Sequence, residues 1–295
     1  MSNKPDPAGG APARHLPGHI AAALAGAGGT ADSAGQPWAG RSLAGDDAVI
    51  HNFDDDDGTA HPAYLAALAA VHAGTAGEEG VIASLASARV FVPIVASVAE
   101  EAAGAHGVVG DKQADMALVT LQAADGRKVL PVFSSTQALA DWHPQARPVA
   151  VYAARAALSA VAEGAELMVL DPGSPAPFVV RRPALWSLAQ QRPWHPSYAD
   201  PEVAEAMAEG LHHHHAVRRL EIQPGSGVAA LAADGRAISG GGAGPELQAV
   251  LYLEDGLDAA AVQALVGDLH AAWARNVLFS ERVDSIEIKI RRASQ

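Results

Sequence analysis

The chain has 295 residues, of which 49% are hydrophobic and 5% are aromatic, and it carries a formal net charge of −13. This length suits two ordinary domains and a tail, and this apolar fraction can fill sizeable aliphatic cores. An acidic surface repels phosphate backbones, so the composition argues against nucleic-acid binding. The absence of cysteine excludes disulfides, thiolate metal sites and cysteine nucleophiles.

The N-terminal sequence predicts a protein that is neither secreted nor embedded in a membrane. Residues 1–29 lack the compact charged-then-apolar pattern of a signal peptide. A membrane-spanning helix needs about 18 consecutive strongly apolar residues, and no stretch of the sequence approaches that length. A chain without cysteine also suits a reducing compartment, so we expect a cytoplasmic protein with no membrane partner.

The first 60 residues are rich in glycine, alanine, proline and aspartate and show little periodicity. Such a composition cannot bury enough surface to offset the entropy of ordering, so we expect residues 1–35 to be a flexible tail. Trp38 stands in an otherwise polar arm. It predicts that residues 36–60 form a strap that docks on the following domain.

Residues 61–192 alternate between helical and strand patterns, which predicts an α/β (α+β) domain. In chain order the pattern predicts a helix from 61, a helix near 81–85, a strand at 89–96, a hairpin of 116–122 with 127–133, a helix at 135–142, a strand at 148–152, a helix at 153–164, paired strands at 166–172 and 177–180, and a helix at 183–191. The strands follow one another too closely for a purely parallel sheet, so we expect a mixed sheet.

Residues 193–201 contain three prolines and no periodicity, which predicts a linker. Residues 202–295 then predict a small α-β-β-α-β domain. Its elements are a helix at 202–215, a strand at 216–222, a glycine-rich loop at 234–245, a strand at 247–253, a helix at 258–275 and a last strand at 283–290. Isoleucines alternate with polar residues in the last strand, which indicates one buried face and one wet face.

A hydroxyl cluster, Ser134, Ser135 and Thr136, stands between a predicted strand and a predicted helix. Such a cluster either caps the helix or holds an anion at the helix N-terminus. Ser134 and Gln137 have the spacing of a capping box, so we interpret Ser134 as the cap. The flanking glycines of a nucleophile elbow and the glycine–lysine pattern of a phosphate loop are absent.

Asp171 lies at the end of a predicted strand and precedes a proline and a glycine. Active-site carboxylates occur at strand ends, but this tripeptide is also ordinary turn chemistry, which we prefer. The alternative is a small-ligand or anion-binding protein, or an enzyme, with its site at the strand ends around Ser134, Ser135, Thr136 and Asp171.

Two predicted strands contain a proline, Pro93 and Pro131. Proline removes a donor from the hydrogen-bond ladder, so we expect both strands to lie at a sheet edge or to be bulged there. An edge can dock a partner strand, although prolines that simply prevent edge pairing are the commoner case. We predict that Pro93, Pro131, Trp38 of the strap and Trp194 of the linker contact a partner.

Four consecutive histidines, His212, His213, His214 and His215, form the most conspicuous polar run. Neighbouring residues on a helix do not share a face and cannot all reach one metal ion. No cysteine or nearby carboxylate cluster completes a structural metal site. We interpret the run as a solvated helix end, with weak Zn²⁺ or Ni²⁺ binding as the alternative, and we predict no cofactor.

Several segments resemble the SseB family, and more closely its actinobacterial members. These segments are RVFVPIVA (89–96), DGRKVLPVFSST (125–136), ALSAVAEGAELMVLDP (157–172) and PALWSLA (183–189). The resemblance implies an SseB-type N-terminal domain over residues 61–192, preceded by a strap, and an accessory C-terminal domain. It implies no catalytic residues, because the family has no established reaction.

The sequence therefore predicts a non-catalytic interaction or regulatory module that binds a protein partner or a second copy of itself. No nucleophile–base pair, metal cluster or phosphate loop reaches the strength of a motif. The ligand-binding alternative at the strand ends stays open.

Overall fold

The computed structural model describes most of the chain from residue 53 onward. The described residues are 53, 56–97, 115–123, 125–231 and 235–293. They belong to one compact unit, His51–Gln295. The predicted tail at 1–35 and Trp38 of the strap lie outside the described residues, so they stay predictions.

Within this unit, residues 62–189 correspond to the predicted first domain. They begin with two helices and continue with strands and helices in mixed order. In chain order the elements are α1 (Pro62–His72), α2 (Glu78–Leu85), β1 (Arg89–Ser97), β2 (Asp115–Leu118), β3 (Leu121–Gln122), β4 (Lys128–Val132), α3 (Thr136–Trp142), β5 (Arg147–Tyr152), α4 (Ala153–Ala162), β6 (Leu167–Leu170), β7 (Phe178–Val180) and α5 (Arg182–Ala189). The predicted α/β class is confirmed.

These strands form two sheets, ordered β2-β1-β5 and β3-β4-β6-β7. β4 and β6 pair in parallel, and the other pairs are antiparallel. The four-stranded sheet is therefore mixed, as expected. The predicted hairpin is shorter than expected. Only β3 pairs with β4, because β2 pairs instead with β1.

Buried alanines show how this alanine-rich sequence forms a core. Ala153, Ala156, Ala157 and Ala160 of α4 recur at three- and four-residue spacing, and all four are buried. α4 packs against α5. Since alanine fills little volume, close approach of whole elements supplies the dense packing that large apolar side chains supply elsewhere.

The two strands that contain proline are not edge strands, so this expectation is wrong. β1, with Pro93, lies between β2 and β5, and β4, with Pro131, lies between β3 and β6. Phe91 and Phe133 join β1 to the end of β4 through two backbone hydrogen bonds of 2.8 Å in an antiparallel bridge. Continuing that register by two residues would place Pro93 opposite Pro131, and neither has an N–H to donate. The prolines therefore end this ladder and keep the two sheets separate.

The second domain follows a short 3-10 turn, Ser197–Ala199. Its elements are α6 (Pro201–Glu209), β8 (Val217–Pro224), β9 (Ala229–Leu231), β10 (Ala237–Gly241), β11 (Leu247–Leu253), α7 (Ala259–Arg275), α8 (Val277–Arg282) and β12 (Ile286–Arg292). The main sheet is ordered β12-β11-β8, with β11 parallel to β12 and antiparallel to β8. Side chains from α6, α7 and β11 form its core, including Met207, Leu251, Leu269 and Trp273. β9 and β10 form a separate pair that reaches into the glycine-rich segment predicted to be a loop.

The predicted helix at 202–215 is too long. α6 ends at Glu209, and Gly210 follows as its C-cap residue with a right-handed helical backbone, φ −59°. His212–His215 therefore lie in turns after the helix.

The last strand is also less buried than its alternating pattern predicts. No residue of β12 is fully buried: Ile286 and Ile288 are half-buried, and Ile290 is 46% exposed. β12 lies at the edge of its sheet, so only one neighbouring strand covers it.

Among the described helices, none is both long enough and apolar enough to cross a bilayer.

Candidate functional site

The structure brings together the residues that the sequence placed at the strand ends. β4 and β6 run in parallel, so their carboxyl ends are adjacent, and Ser134 and Asp171 follow them. The Ser134 amide donates a hydrogen bond of 2.7 Å to Asp171 Oδ1. In open α/β sheets, ligands bind at this edge.

The helix cap is Ser135, so the prediction of Ser134 as the cap is wrong by one residue. Ser135 Oγ accepts a hydrogen bond of 3.1 Å from the Ala138 amide at the start of α3. Gln137 does not close a capping box on Ser134. Its side chain donates instead to Asp141 Oδ1 at 2.7 Å. The Ser134 amide donates instead to Asp171 Oδ1.

The described part of the strap covers this helix end. The Thr136 amide donates to the Gly58 carbonyl at 2.9 Å, and a Cβ at Gly58, whose φ is +76°, would lie 2.6 Å from Thr136 Oγ1. Only glycine fits this contact, because it tolerates positive φ and has no side chain. The strap segment Asp56–Ala60 therefore docks on its own domain.

Arg89 fastens the strap to the strand ends. Its Nε and Nη2 atoms donate to the two carboxylate oxygens of Asp56 at 2.7 Å each. Nη2 also donates to the Thr59 carbonyl at 2.7 Å, and Nη1 donates to the Ser134 carbonyl at 3.0 Å. A two-pronged arginine–carboxylate pair fixes orientation as well as charge. The strap thus satisfies the guanidinium that a ligand at this edge could otherwise use.

The surroundings of this junction perturb two titratable groups, Asp171 and Tyr64. Burial raises the pKa of Asp171, and the hydrogen bonds from Ser134 lower it only in part. The hydroxyl of Tyr64 is buried without a hydrogen-bond partner among the described atoms, and burial together with the nearby Asp171 charge raises its pKa. A carboxyl group beside a helix N-terminus repels anions, so this geometry does not favour an anion site.

Replacing Ser135 with alanine is expected to lower the free energy of unfolding by about 1 kcal/mol, because the Ala138 amide loses its acceptor. Ser135→Thr keeps an oxygen at the cap and serves as the matched control. Urea denaturation followed by circular dichroism measures both. Equal losses in the two variants would show that capping is not what Ser135 contributes.

A second polar cluster joins the two domains, and the sequence did not indicate it. Arg181, at the N-cap of α5, is 2% exposed, and its Nη1 atom lies 3.4 Å from both carboxylate oxygens of Glu78, which is 3% exposed. Arg181 Nη2 donates to the carbonyls of Gly227 and Gly242 at 2.9 and 2.5 Å. The Gly241 amide donates to Glu78 Oε1 at 2.7 Å. The ion pair of the first domain therefore binds the backbone of the second.

Glu246 plays a similar part on the second domain. It is fully buried, and its two oxygens accept hydrogen bonds from the amides of Ser197 and Asp284 at 3.1 and 3.0 Å. Burial raises the pKa of Glu246, opposed by these amides and by the charge of Arg181. Burial also raises the pKa of Glu78 and outweighs the pairing with Arg181. These carboxyls hold backbone amides in place.

Two further arginines of the first domain bind the second. Arg127 donates to Asp284 at 3.0 Å and to the Ala243 carbonyl at 2.6 Å. Arg182 donates to the Val283 carbonyl at 2.8 Å. The basic pair at 181–182 is thus directed at the interface between the domains.

The remaining predicted residues do not assemble into a site. Among the described residues, no group of three or more His, Asp or Glu side chains is placed to hold a metal ion. His212 Nδ1 lies 2.8 Å from the Glu209 carbonyl, as expected of a helix end. Pro93 and Pro131 are buried, and Trp194 is half-buried with its indole N–H enclosed and without a partner among the described atoms.

These observations define a mixed α/β protein. Arginines join the two sheets of residues 62–189 to the sheet and helices of residues 201–292. Residues 63–187 match the family model described as SseB protein N-terminal domain. Residues 63–187 therefore form an SseB-type N-terminal domain, and the resemblance to the SseB family is confirmed for this part of the chain. Neither a curated protein nor a solved structure matches the chain.

Proposed function

We propose that this chain is a non-catalytic cytoplasmic interaction module that binds an extended strand from another polypeptide along the outer edge of β12. The observation that carries the proposal is that no strand of the described residues pairs with the outer edge of β12, which carries partly exposed isoleucines. The ligand-binding alternative has less support, because the polar groups at the ends of β4 and β6 are largely engaged by their own chain.

The backbone groups along the outer edge of β12 point away from their sheet. The Ser285 carbonyl accepts from the Leu247 amide, and the Ala293 amide donates to the Leu253 carbonyl, so odd-numbered residues face β11. Alternation along a strand then turns the N–H and C=O groups of Ile286, Ile288 and Ile290 outward. Among the described residues, no strand pairs with this side.

The side chains at this edge add apolar surface to the free backbone groups. Ile290 is 46% exposed and lines a shallow depression with Leu253, Leu257 and Val262. Charged residues complete the rim of this depression: Glu254, Asp255, Arg291 and Arg292. A partner strand would bond to the outward backbone groups and cover this surface with alternate side chains. Isoleucine also has a high strand propensity, which favours the extended conformation of β12 that pairing requires.

The opposite edge of the same sheet, β8, has protective features. β8 ends in Pro224, and its exposed Arg218 and Arg219 form ion pairs with Glu254 at 2.6 Å and Glu221 at 2.5 Å. Proline and charged side chains are the usual means of preventing edge pairing. β12 also carries exposed charges, at Lys289, Arg291 and Arg292, but it contains no proline, so its backbone keeps every N–H donor and β12 is the better candidate for docking.

A photo-crosslinking amino acid at position 290 is expected to form a discrete adduct in cells that produce the protein. The same group at Arg155, an exposed position on α4 of the first domain, is the control and is expected to give none. Failure to obtain an adduct specific to position 290 contradicts the proposed function.

A proline at position 288 tests whether the adduct depends on strand pairing. The N–H of Ile288 points outward, so Ile288→Pro removes a donor from the free edge without removing a bond to β11. Ile288→Ala removes the side chain and keeps the donor. We expect the adduct from position 290 to disappear with proline and to persist at reduced yield with alanine.

A further inference from the structure

We propose that the strand bound at β12 is β12 of a second copy of this chain, paired antiparallel about Ile288. This inference rests on the proposed function and names its partner. The juxtaposition that points to it is a free edge whose sequence is complementary to itself.

The outward backbone groups permit a symmetric pairing. With Ile288 opposite Ile288 of the second copy, both residues direct their N–H and C=O groups at each other and form a hydrogen-bonded pair. Ile286 then lies opposite Ile290 of the second copy, again with outward groups on both sides. The two three-stranded sheets would become one continuous six-stranded sheet, and each partly exposed isoleucine would gain an apolar neighbour.

Charge selects this register over its neighbours. Glu287 and Lys289 lie on the other face of β12, and pairing about Ile288 places Glu287 opposite Lys289 of the second copy twice. Centring the pairing on position 287 sets Glu287 against Glu287, and centring it on position 289 sets Lys289 against Lys289. Opposite charges directly across strands stabilise the pairing and like charges destabilise it.

Glu287 keeps a fixed negative charge on this face of the sheet. Its carboxylate accepts hydrogen bonds from the Ser226 amide and hydroxyl at 2.8 Å each, and from the Gln248 side chain. Although burial acts to raise it, these hydrogen bonds and the charge of Lys289 hold the pKa of Glu287 below its usual range. Its negative charge therefore persists at neutral pH in a fixed place on the sheet face.

Cysteine trapping in the full-length protein tests both the partner and the register. The native chain has no cysteine, so Ile288→Cys introduces a single thiol. In the proposed pairing the two Cα atoms at position 288 lie about 5.5 Å apart, within the range of a disulfide. Ile286→Cys is the matched control, because its two copies would lie four positions apart along the strand, about 13 Å.

Under mild oxidation we expect Ile288→Cys to form a disulfide-linked dimer, Ile286→Cys alone to form none, and a mixture of Ile286→Cys with Ile290→Cys to form one. Unmodified protein should sediment as a dimer. Lys289→Glu, at an exposed position, should raise the dimer dissociation constant about tenfold, since it replaces two attractive pairs with two repulsive ones. Mixing Lys289→Glu with Glu287→Lys should restore association, because each then meets an opposite charge.

A monomeric native protein at all accessible concentrations, or equal trapping at positions 286 and 288, would overturn the inference. If the adduct from position 290 contains a protein other than this chain, the proposal of a second copy as partner is wrong. The proposed function as an interaction module would still hold. If position 290 gives no specific adduct, both proposals fail together.

Discussion

Replacing Arg181 with methionine is expected to lower the free energy of unfolding by about 3–5 kcal/mol. The guanidinium is buried and supplies the counter-charge to Glu78 and donors to the carbonyls of Gly227 and Gly242. Methionine has a similar length but no charge and no donor. The substitution therefore leaves a carboxylate and two carbonyls buried without their partner.

The double variant Arg181→Met with Glu78→Gln separates the charge from the lost donors. Glutamine at position 78 can still accept from the Gly241 amide through its carbonyl oxygen. It carries no charge, so the loss of Arg181 leaves no buried charge without a counter-ion. We expect the double variant to be more stable than Arg181→Met alone, although both single changes destabilise. Urea denaturation of all four proteins gives the coupling energy. Additive losses would contradict direct coupling between Glu78 and Arg181.

The glycine at position 241 allows the backbone of the second domain to approach the Glu78–Arg181 ion pair. The φ of Gly241 is +74°, and a Cβ there would lie 2.8 Å from Phe178 Cδ2. A side chain at this position would move β10 away from the first domain, and the Glu78 carboxylate would lose its amide donor. The segment predicted as a loose glycine-rich loop is thus a place of close backbone approach.

Local patterns predicted the elements of this fold well because helices and strands obey local rules. The spacing of apolar residues located α4, β11 and α7, and the short gap at 123–126 between two strand patterns located the pairing of β3 with β4. The cap was missed by one residue, because Ser134 and Ser135 are both hydroxyl residues. Only the Asp171 contact, 37 positions from Ser134, distinguishes them.

Long-range relations explain the other errors. A proline in a strand indicates that one backbone N–H donor is missing. The sequence does not indicate which neighbouring strand that N–H would have faced. In the structure the missing donors of Pro93 and Pro131 fall at the junction between two sheets, so a central strand tolerates them. Likewise, Arg181 contacts Glu78 across 103 positions, and nothing in its neighbourhood in the sequence identifies it as buried.

Replacing Trp273 with alanine is expected to lower the free energy of unfolding by about 3–5 kcal/mol. Trp273 is 1% exposed, stacks on Phe279 with ring centroids 6.0 Å apart, and donates from its indole N–H to the Met207 carbonyl at 3.2 Å. It therefore joins α6, α7 and α8 in the core of the second domain. Alanine leaves a large cavity and removes the donor.

Trp273→Phe is the matched control, because it keeps an aromatic ring beside Phe279 and loses only the donor and part of the volume. We expect its loss to be well below that of alanine, and urea denaturation followed by circular dichroism compares them. A second approach to the same contact is Gly210→Ala, since a Cβ at Gly210 would lie 2.7 Å from the indole nitrogen. If Trp273→Ala costs less than about 1 kcal/mol, α7 is not anchored by this packing. The sheet that carries β12 would then lack the rigid support that strand pairing at its edge requires.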